Sequence, residues 1–333
     1  MNQSKAGSLP RPPIVVIMGH IDHGKTTILD WYRKTKVVES ESGGITQHIG
    51  AYEVIHNGKN ITFIDTPGHE AFSKMRARGV RVADIAVLVV AADEGVKPQT
   101  KESLATIRES GVPFLIAFNK VDKPAANPER VKQELAQENV LVESYGGKVP
   151  SVEISAKEGR NMDELLETIL LMAELEDLSY NPEKNADGVV IEAHRDPKRG
   201  VSATLLIRDG VLHYGEFLAM ETSADKIKIL ENFLGAPITE ARASSPVLAV
   251  GFSLPPPTGS KFSAFASREE AEKYRAERPK ETTYADAKKN NHAADKEKLQ
   301  FNCIIKTDVA GSQEAVADAI QKLENKYRKA LNV

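Results

Sequence analysis

The sequence lacks the features of a membrane-embedded or disulfide-bonded protein. Its one cysteine, Cys303, excludes an intramolecular disulfide and a cysteine zinc cluster, and apolar neighbours favour a buried strand position for it. No apolar run approaches the ~20 residues needed to cross a bilayer. Residues 1–13 also lack the apolar centre of a signal peptide. We therefore expect a cytoplasmic protein without membrane contact.

An excess of charge of one sign is also missing. The net charge is −3 over 333 residues, so there is no global basic footprint for nucleic-acid binding. Any contact with RNA must come from local patches or from the geometry of a larger partner. With 41% hydrophobic and 27% charged residues the chain can bury ordinary cores. Its length predicts two or three domains.

Short apolar runs and helical patterns occur along the first part of the chain, after a flexible polar lead-in over residues 1–11. Residues 14–18 form a continuous apolar run, typical of a buried parallel strand. Further runs lie at 61–64, 85–91, 114–118 and 152–154, and helices are predicted over 26–34, 98–110, 128–138 and 162–175. Residues 12–180 are therefore predicted to form an α/β domain with a doubly wound, mostly parallel sheet.

The pattern changes near Asn181-Pro182. From 188 to 265, short β-branched and apolar runs are separated by glycine, proline and Asp-Gly turns. Many short strands with regular turn signals are typical of a small barrel or sandwich. We predict an all-β barrel as a second domain over residues 181–266.

The last part of the chain has two different compositions. Residues 267–298 are rich in charge and alanine and are interrupted by Pro279, which predicts a solvated helix or a linker acting only as a spacer. Residues 299–333 predict the start of an α/β third domain that is incomplete within this chain. Its predicted elements are a strand over 301–306, a turn at Gly311-Ser312 and a helix over 313–322.

One short motif carries the strongest functional signal. The residues from Gly19 to Thr26 match Gly-x-x-x-x-Gly-Lys-Thr, after a predicted strand and before a predicted helix. In such a loop, backbone N–H groups and the helix N-terminus hold phosphate oxygens, while Lys25 neutralises the β- and γ-phosphates and Thr26 holds Mg²⁺. The predicted nucleotide-binding residues of this segment are Gly19, His20, Ile21, Asp22, His23, Gly24, Lys25, Thr26 and Thr27.

Three histidines near these motifs receive no catalytic role. His20 and His23 fit as ordinary loop residues, and His48 lies in a separate segment. No metal-ligand spacing in the sequence favours any of them.

A second motif, at residues 119–122, predicts which base is bound. It reads Asn-Lys-Val-Asp and directly follows the apolar run at 114–118. The carboxylate of Asp122 can accept hydrogen bonds from the ring N–H and the exocyclic amine of guanine, and adenine has no such pair of donors. Asn119 and Lys120 are expected to brace the loop and cover the base plane. The sequence therefore predicts binding of GTP and GDP.

Ser155-Ala156-Lys157 extends this guanine site. It too comes just after a predicted strand. We expect a backbone N–H of this loop to meet the guanine carbonyl oxygen and the stem of Lys157 to lie against the ring. Each motif alone is short, but their order and strand context together favour a guanine-binding site.

Two further segments predict sensors of the γ-phosphate. Thr46, in a glycine-rich segment, could close on Mg²⁺ and the attacking water, Asp65 could reach the ion through water, and the Gly68 N–H could meet the γ-phosphate. His69 lies where some GTPases have glutamine, so its imidazole is predicted to position the water and stabilise charge. The alternative for His69 is a surface histidine at the start of a helix.

These motifs closely resemble bacterial translation initiation factor two. Residues 43–52 read Gly-Gly-Ile-Thr-Gln-His-Ile-Gly-Ala-Tyr and residues 65–72 read Asp-Thr-Pro-Gly-His-Glu-Ala-Phe. Other translational GTPases share the phosphate loop and the Pro-Gly-His signature, but these two strings favour the initiation factor over elongation factors. The resemblance continues through 189–193, in the second-domain barrel of the family, and 306–315, at the start of its third domain.

The resemblance implies a ribosome-stimulated GTPase. Such a factor promotes joining of the two ribosomal subunits with initiator tRNA in place, and hydrolyses GTP when the sarcin–ricin loop of the large subunit settles His69. It also implies that Asp22 helps bind a monovalent cation and that Ile21 and Ile45 form an apolar gate beside His69. Valine is more usual at Ile21, and this volume-tolerant change leaves the resemblance intact.

The resemblance also limits what carries over. The C-terminal domains of the family, which grip the formyl-methionyl end of initiator tRNA, are not in these residues, so no position here inherits tRNA binding. We expect a monomeric GTPase core.

Two alternatives from the sequence remain open. An elongation-type translational GTPase would need a second β-barrel after residue 265, and the charged segment followed by a strand–helix pattern argues against it. A scaffold that binds GTP but hydrolyses it negligibly would not need Thr46, Asp65 and His69 together. Ribosome-dependent turnover distinguishes these classes.

Overall fold

The computed structural model describes residues 7–33, 50–66, 72–277, 304–307 and 309–330. All helices within these ranges are too short or too polar to pass through a membrane.

The first part of the chain is built around a six-stranded sheet. A short strand before it, β1 (Leu9–Pro10), pairs with β8 (Ser179–Tyr180). The strands of the sheet are β2 (Ile14–Gly19), β3 (Gly50–His56), β4 (Lys59–Asp65), β5 (Ile85–Ala91), β6 (Phe114–Asn119) and β7 (Ser151–Glu153). Their order is β3-β4-β2-β5-β6-β7. All neighbours are parallel except β3 and β4, which are antiparallel.

Helices cover both faces of this sheet. They are α1 (Lys25–Arg33), α2 (Ser73–Val82), α3 (Pro98–Ser110), α4 (Pro128–Gln137) and α5 (Met162–Leu175). Along β2, Val16 packs in the cluster that contains residues of α2, α3 and α4, and its neighbour Ile17 packs in the cluster that contains residues of α1 and α5. Because both faces are buried, the strand is continuously apolar rather than alternating. The predicted doubly wound α/β fold is confirmed.

The predicted nucleotide-binding motifs lie at the carboxyl ends of the strands of this sheet. Gly19, Asp65 and Asn119 are the last residues of β2, β4 and β6. Parallel strands all end at the same edge, so motifs that are far apart in sequence meet there.

The antiparallel strand β3 is absent from the elements predicted above. Its turn to β4 is Asn57-Gly58, with φ values of 49° and 74°. Asn-Gly with both residues at positive φ is the strongest short signal for a two-residue hairpin. The signal was therefore present in the sequence, but the run at 50–56 lacks the continuous apolar character of the central strands.

In the second part of the chain, all paired strands run antiparallel to each other. Its strands are β9 (Asp187–Asp196), β10 (Gly200–Asp209), β11 (Val211–His213), β12 (Phe217–Ala219), β13 (Ala224–Lys226), β14 (Ile229–Asn232), β15 (Glu240–Arg242), β16 (Pro246–Phe252) and β17 (Lys261–Phe265). Seven of them form a sheet in the order β13-β12-β17-β9-β10-β16-β14, and β11 pairs with β15. The sheet curls around a single apolar cluster that includes Leu205, Leu218 and Phe262. The predicted β-rich second domain is confirmed.

A helix follows the barrel where the composition suggests a solvated helix or linker. This helix, α6 (Arg268–Glu277), buries Ala271 fully against the barrel. The hydroxyl of Ser263 donates to the Tyr274 hydroxyl at 2.8 Å, and the Tyr274 ring centroid lies 4.9 Å from that of Phe265. The segment thus begins as a helix packed on the barrel. So few of its residues are buried that the sequence shows almost no apolar periodicity.

The last helix, α7 (Ala310–Ala330), corrects two expectations for the end of the chain. Gly311-Ser312 lies inside this helix, so the predicted turn is wrong. Residues 304–307 form no strand, and residues 301–303 with Cys303 lie outside the described part of the chain. Gly311 lies against Met75 instead, and an added Cβ would lie 2.3 Å from the terminal methyl of that side chain.

A buried carboxylate joins the sheet to the barrel. Asp84 accepts hydrogen bonds from the Arg11 guanidinium at 2.6 and 2.7 Å and from the Ile14 N–H at 2.8 Å. From the barrel, Arg208 approaches the same carboxylate at 3.2 Å, and the Ser244 carbonyl accepts from the Thr62 hydroxyl at 2.7 Å. The two domains therefore share a bonded interface.

Candidate nucleotide-binding site

The phosphate loop starts with a glycine that the packing requires. Gly19 has φ 144°, and an added Cβ would lie 2.4 Å from the Val89 carbonyl of β5. The loop then turns through Asp22 (φ 62°) and Gly24 (φ 90°) into α1, which begins at Lys25. A tight loop leading into a helix N-terminus is a favourable anion-binding arrangement, since backbone N–H groups and the helix dipole both face the anion.

Lys25 lies almost fully buried in this loop. Its Nζ donates to the carbonyls of His20 at 2.7 Å and Gly19 at 3.1 Å. Burial, assisted by Arg76, lowers the pKa of Lys25 to about 8, although the charges of Asp65 and Asp22 act in the opposite direction. A polyanion placed beside the amine would favour its charged form. The site therefore offers a cation whose charge a phosphate would stabilise.

Asn119 links the phosphate loop to the Ser155-Ala156-Lys157 loop. Its Nδ2 donates to the His23 carbonyl at 2.9 Å, and its Oδ1 accepts from the Ala156 N–H at 3.1 Å. The side chain is buried, so both bonds are shielded from water. One amide thus fixes the distance between the phosphate loop and the Ser155-Ala156-Lys157 loop.

Asp122 is held by the loop that follows β7. Its Oδ1 accepts from the Ser155 hydroxyl at 2.6 Å, and Ser155 Oγ in turn accepts from the Glu158 N–H at 3.2 Å. Ser155 and Ala156 are buried while Lys157 is exposed. The two sequence motifs predicted to contact guanine therefore lie side by side, with the Asp122 carboxylate oriented by Ser155.

Two acidic residues after β5 complete this edge, and the sequence prediction missed them. The Lys120 amine lies 3.0 Å from Glu94 Oε1, and Lys123 lies 2.6 Å from Asp93 Oδ2. Burial acts to raise the pKa of Glu94, but the bond to Lys120 and its charge outweigh it, so the pKa is lowered. Their position in the chain could have identified them, because the loop after β5 must lie between the loops after β2 and β6.

Of the residues predicted to hold Mg²⁺, Thr26 and Asp65 lie in the described part of the chain. Thr26 lies in the first turn of α1, and Asp65 ends β4 with 5% exposure. Beyond it, Thr66 ties the chain to β2 by donating from its hydroxyl to the Ile17 carbonyl at 2.9 Å. A hydroxyl and a carboxylate match the oxygen ligands that Mg²⁺ prefers, so the donor set fits this ion.

The remaining predicted residues of this region lie outside the described part of the chain. They are Ile45, Thr46, His48, Gly68 and His69. Their roles stay predictions.

A glutamine braces the phosphate loop from the side. Gln99, in the first turn of α3, accepts from the Ile21 N–H through its Oε1 at 3.1 Å. The sequence alone does not indicate this contact, since Gln99 is one of several polar residues at a helix start.

His20 and His23 also pack together at the phosphate loop. Their ring centroids lie 4.9 Å apart in an edge-on arrangement. His23 is fully buried, and burial lowers its pKa to about 4, which keeps the ring neutral near pH 7. One ring nitrogen of each histidine and one Glu94 carboxylate oxygen lie within 4.8 Å of one another. The sequence indicated no metal-ligand spacing here because this third group comes from a distant loop.

We expect Gly24→Ala to weaken guanine-nucleotide binding by ~10–100-fold, because it displaces the buried Asn119 amide from its partner. An added Cβ at Gly24 would lie 2.2 Å from Asn119 Nδ2. Gly200→Ala is the matched control, since Gly200 has the same φ of 90° but nothing within 4 Å of the added Cβ. Titration with a fluorescent GDP analogue measures both. Equal affinities of the two variants for the GDP analogue would contradict the expected clash between the added Cβ and the Asn119 amide.

Three family models match successive parts of the chain. The Elongation factor Tu GTP binding domain matches residues 11–174, and Elongation factor G domain 2 matches residues 185–265. Translation-initiation factor 2 matches residues 273–333. The order of the matches follows the order of the α/β domain, the barrel and the C-terminal segment.

Curated relatives and a solved structure show similarity along most of the chain. Translation initiation factor IF-2 of Rubrobacter xylanophilus is 47% identical over 94% of this chain and 47% of its own length. The same factor of Bacillus licheniformis is 46% identical over 94% of this chain and 45% of its own length. The crystal structure of GDP-bound aIF5B from Aeropyrum pernix is 31% identical, with a TM-score of 0.66 over 80% of this chain and 56% of that one. The chain spans less than half the length of these two curated relatives.

Proposed function

The chain belongs to the family of translation initiation factor IF-2, and from this premise we propose that it binds GTP and GDP with Mg²⁺ and hydrolyses GTP. The observation that carries this proposal is the Asn119 side chain, which bonds the phosphate loop on one side and the Ser155-Ala156-Lys157 loop on the other. A ligand that fits both loops has a phosphate chain at one end and a guanine base at the other.

Each described residue has one role in this proposal. Lys25 neutralises the β- and γ-phosphates, while Thr26 and, through water, Asp65 hold Mg²⁺, which supplies charge for the phosphate oxygens when bound. Asp122 accepts two hydrogen bonds from guanine, and Ser155 orients it. Asp22 joins a monovalent cation site, as the family resemblance implies.

Hydrolysis in this proposal depends on the ribosome. His69 positions the attacking water, and Thr46 and Gly68 sense the γ-phosphate. The sarcin–ricin loop of the large subunit brings His69 into place, so that GTP hydrolysis follows the joining of the ribosomal subunits with initiator tRNA. The chain acts as a cytoplasmic monomer and contacts both subunits, and none of its residues is assigned to the binding of initiator tRNA.

Single-turnover GTP hydrolysis with and without 70S ribosomes tests this proposal. We expect ribosomes to accelerate hydrolysis and His69→Ala to remove most of that acceleration. His213→Ala is the control, because His213 is exposed on the barrel. If ribosomes gave no acceleration while GTP still bound, a GTP-dependent scaffold would be the better description. Acceleration that survived His69→Ala would contradict the role of His69.

A further inference from the structure

Two buried histidine nitrogens at the phosphate loop have no hydrogen-bond partner among the described residues. They are Nδ1 of His20 and Nε2 of His23. The other nitrogen of His23, Nδ1, lies 3.3 Å from the Val89 carbonyl, to which only a protonated nitrogen can donate. Nε2 of His23 therefore carries a free lone pair in a fixed direction. A buried lone pair without a partner costs free energy, so this position favours a ligand.

A carboxylate stands beside these two nitrogens. The ligand atoms of His20, His23 and Glu94 all lie within 4.8 Å of one another. Four donors around a tetrahedral zinc-class ion lie about 3.4 Å apart, as metal–nitrogen distances of ~2.0–2.1 Å require. The ligand atoms must therefore move closer together for a metal to bind. The Glu94 side chain is 33% exposed, so it can rotate towards the two histidines. Binding by two imidazoles and one carboxylate leaves a fourth position for water.

We propose that His20, His23 and Glu94 form a binding site for a zinc-class divalent cation next to the phosphate loop. It is separate from the Mg²⁺ site of Thr26 and Asp65, because imidazole nitrogen favours zinc and cobalt whereas Mg²⁺ favours oxygen. The hydrogen bond from His23 Nδ1 to the Val89 carbonyl is the outer contact that commonly orients a metal-binding imidazole.

Nearby lysine amines repel a cation at this site and therefore lower the affinity of the site for the metal. Lys120 lies 3.0 Å from Glu94 Oε1, and Lys97 lies 4.0 Å from the other carboxylate oxygen. Lys25 is also close, since its amine donates to the His20 carbonyl at 2.7 Å. A metal on Glu94 competes with the Lys120 amine for this carboxylate. Lys120 belongs to the motif at residues 119–122 that is predicted to bind guanine. Metal binding and nucleotide binding are therefore linked, and each changes the affinity of the other by the same factor.

Cobalt provides the probe, because Co²⁺ replaces Zn²⁺ and its visible absorption reports nitrogen ligation. Tag-free, nucleotide-free protein is titrated with Co²⁺ in excess Mg²⁺, and Zn²⁺ is then added in competition. We expect one Co²⁺ per chain, displaced by Zn²⁺. Glu94→Gln should weaken Co²⁺ binding at least about tenfold, since even loss of an outer contact has an effect of that size. Lys120→Met should strengthen it, because it removes the competing amine.

The control variant is His56→Asn. His56 lies 3.7 Å from Asp163 and 3.9 Å from Glu167. This second group of a histidine and carboxylates, away from the phosphate loop, could also bind Co²⁺. The proposal requires this variant to bind Co²⁺ as the parent does. It is overturned if no stoichiometric Co²⁺ binding occurs, if Glu94→Gln and His20→Asn leave binding unchanged, or if His56→Asn abolishes it. Circular dichroism verifies the fold of each variant, and GDP binding is measured separately, so failure here leaves the proposed GTPase function untouched.

Discussion

The Asp122→Asn protein is expected to bind xanthosine triphosphate in preference to GTP. An amide in place of the carboxylate presents a donor where the guanine amine needs an acceptor, whereas xanthine carries a carbonyl at that position. Ser155 holds the side chain at 2.6 Å, so the new group is offered in a similar orientation. Loss of two charge-assisted hydrogen bonds is worth about 3–6 kcal/mol, or ~10²–10⁴ in GTP affinity.

Competition between the two nucleotides for the same protein measures this reversal. Asp93→Asn is the matched control, because Asp93 lies at the same sheet edge but is paired with Lys123 at 2.6 Å. It should keep its preference for GTP. An Asp122→Asn protein with unchanged GTP affinity would show that Asp122 does not read the base, and the guanine site would have to be assigned elsewhere.

Asp84→Ala should lower the free energy of unfolding by about 3–5 kcal/mol, since it leaves buried positive charge without its partner. Asp84 and Arg11 are only 5% and 7% exposed. The same carboxylate also binds the Ile14 N–H and receives Arg208 from the barrel. Removing it therefore weakens the start of the central strand and the contact between the two domains together.

Urea unfolding followed by the fluorescence of Trp31, the one tryptophan of the chain, and by circular dichroism measures this loss. Glu174→Ala is the control, because Glu174 forms an exposed pair with Lys59 at 2.6 Å. Exposed pairs contribute ~0–1 kcal/mol. If Asp84→Ala cost no more than the control, the interface would not depend on this carboxylate. Separate transitions for the two probes would show that the domains had become uncoupled.

The sequence predicts the central sheet and the strand-end residues well, and the reason is physical. Buried parallel strands must be continuously apolar, so the run at 114–118 identifies β6 without ambiguity. The motif after it is then placed at the sheet edge by topology alone. The same reasoning places Gly19, Asp65 and Asn119 at one edge of the sheet from the sequence alone.

What the sequence does not predict depends on contacts between distant segments. The partner of Asn119 is a backbone carbonyl in another loop, and no residue pattern records such a bond. Gly311 resembles a turn residue in sequence, yet it lies inside α7 against the Met75 side chain. Helix α6 holds to the barrel through Ala271 and Tyr274, too few apolar residues to show as a periodicity.

The bonds of Asn119 have a consequence for ligands smaller than a nucleotide. In GTP the base and the phosphates are joined covalently through ribose, and in the protein the loops proposed to hold them are joined through one amide. Ordering either loop therefore helps to order the other. Guanosine and pyrophosphate, supplied as two unconnected molecules, should each bind more tightly when the other is present, although they never touch.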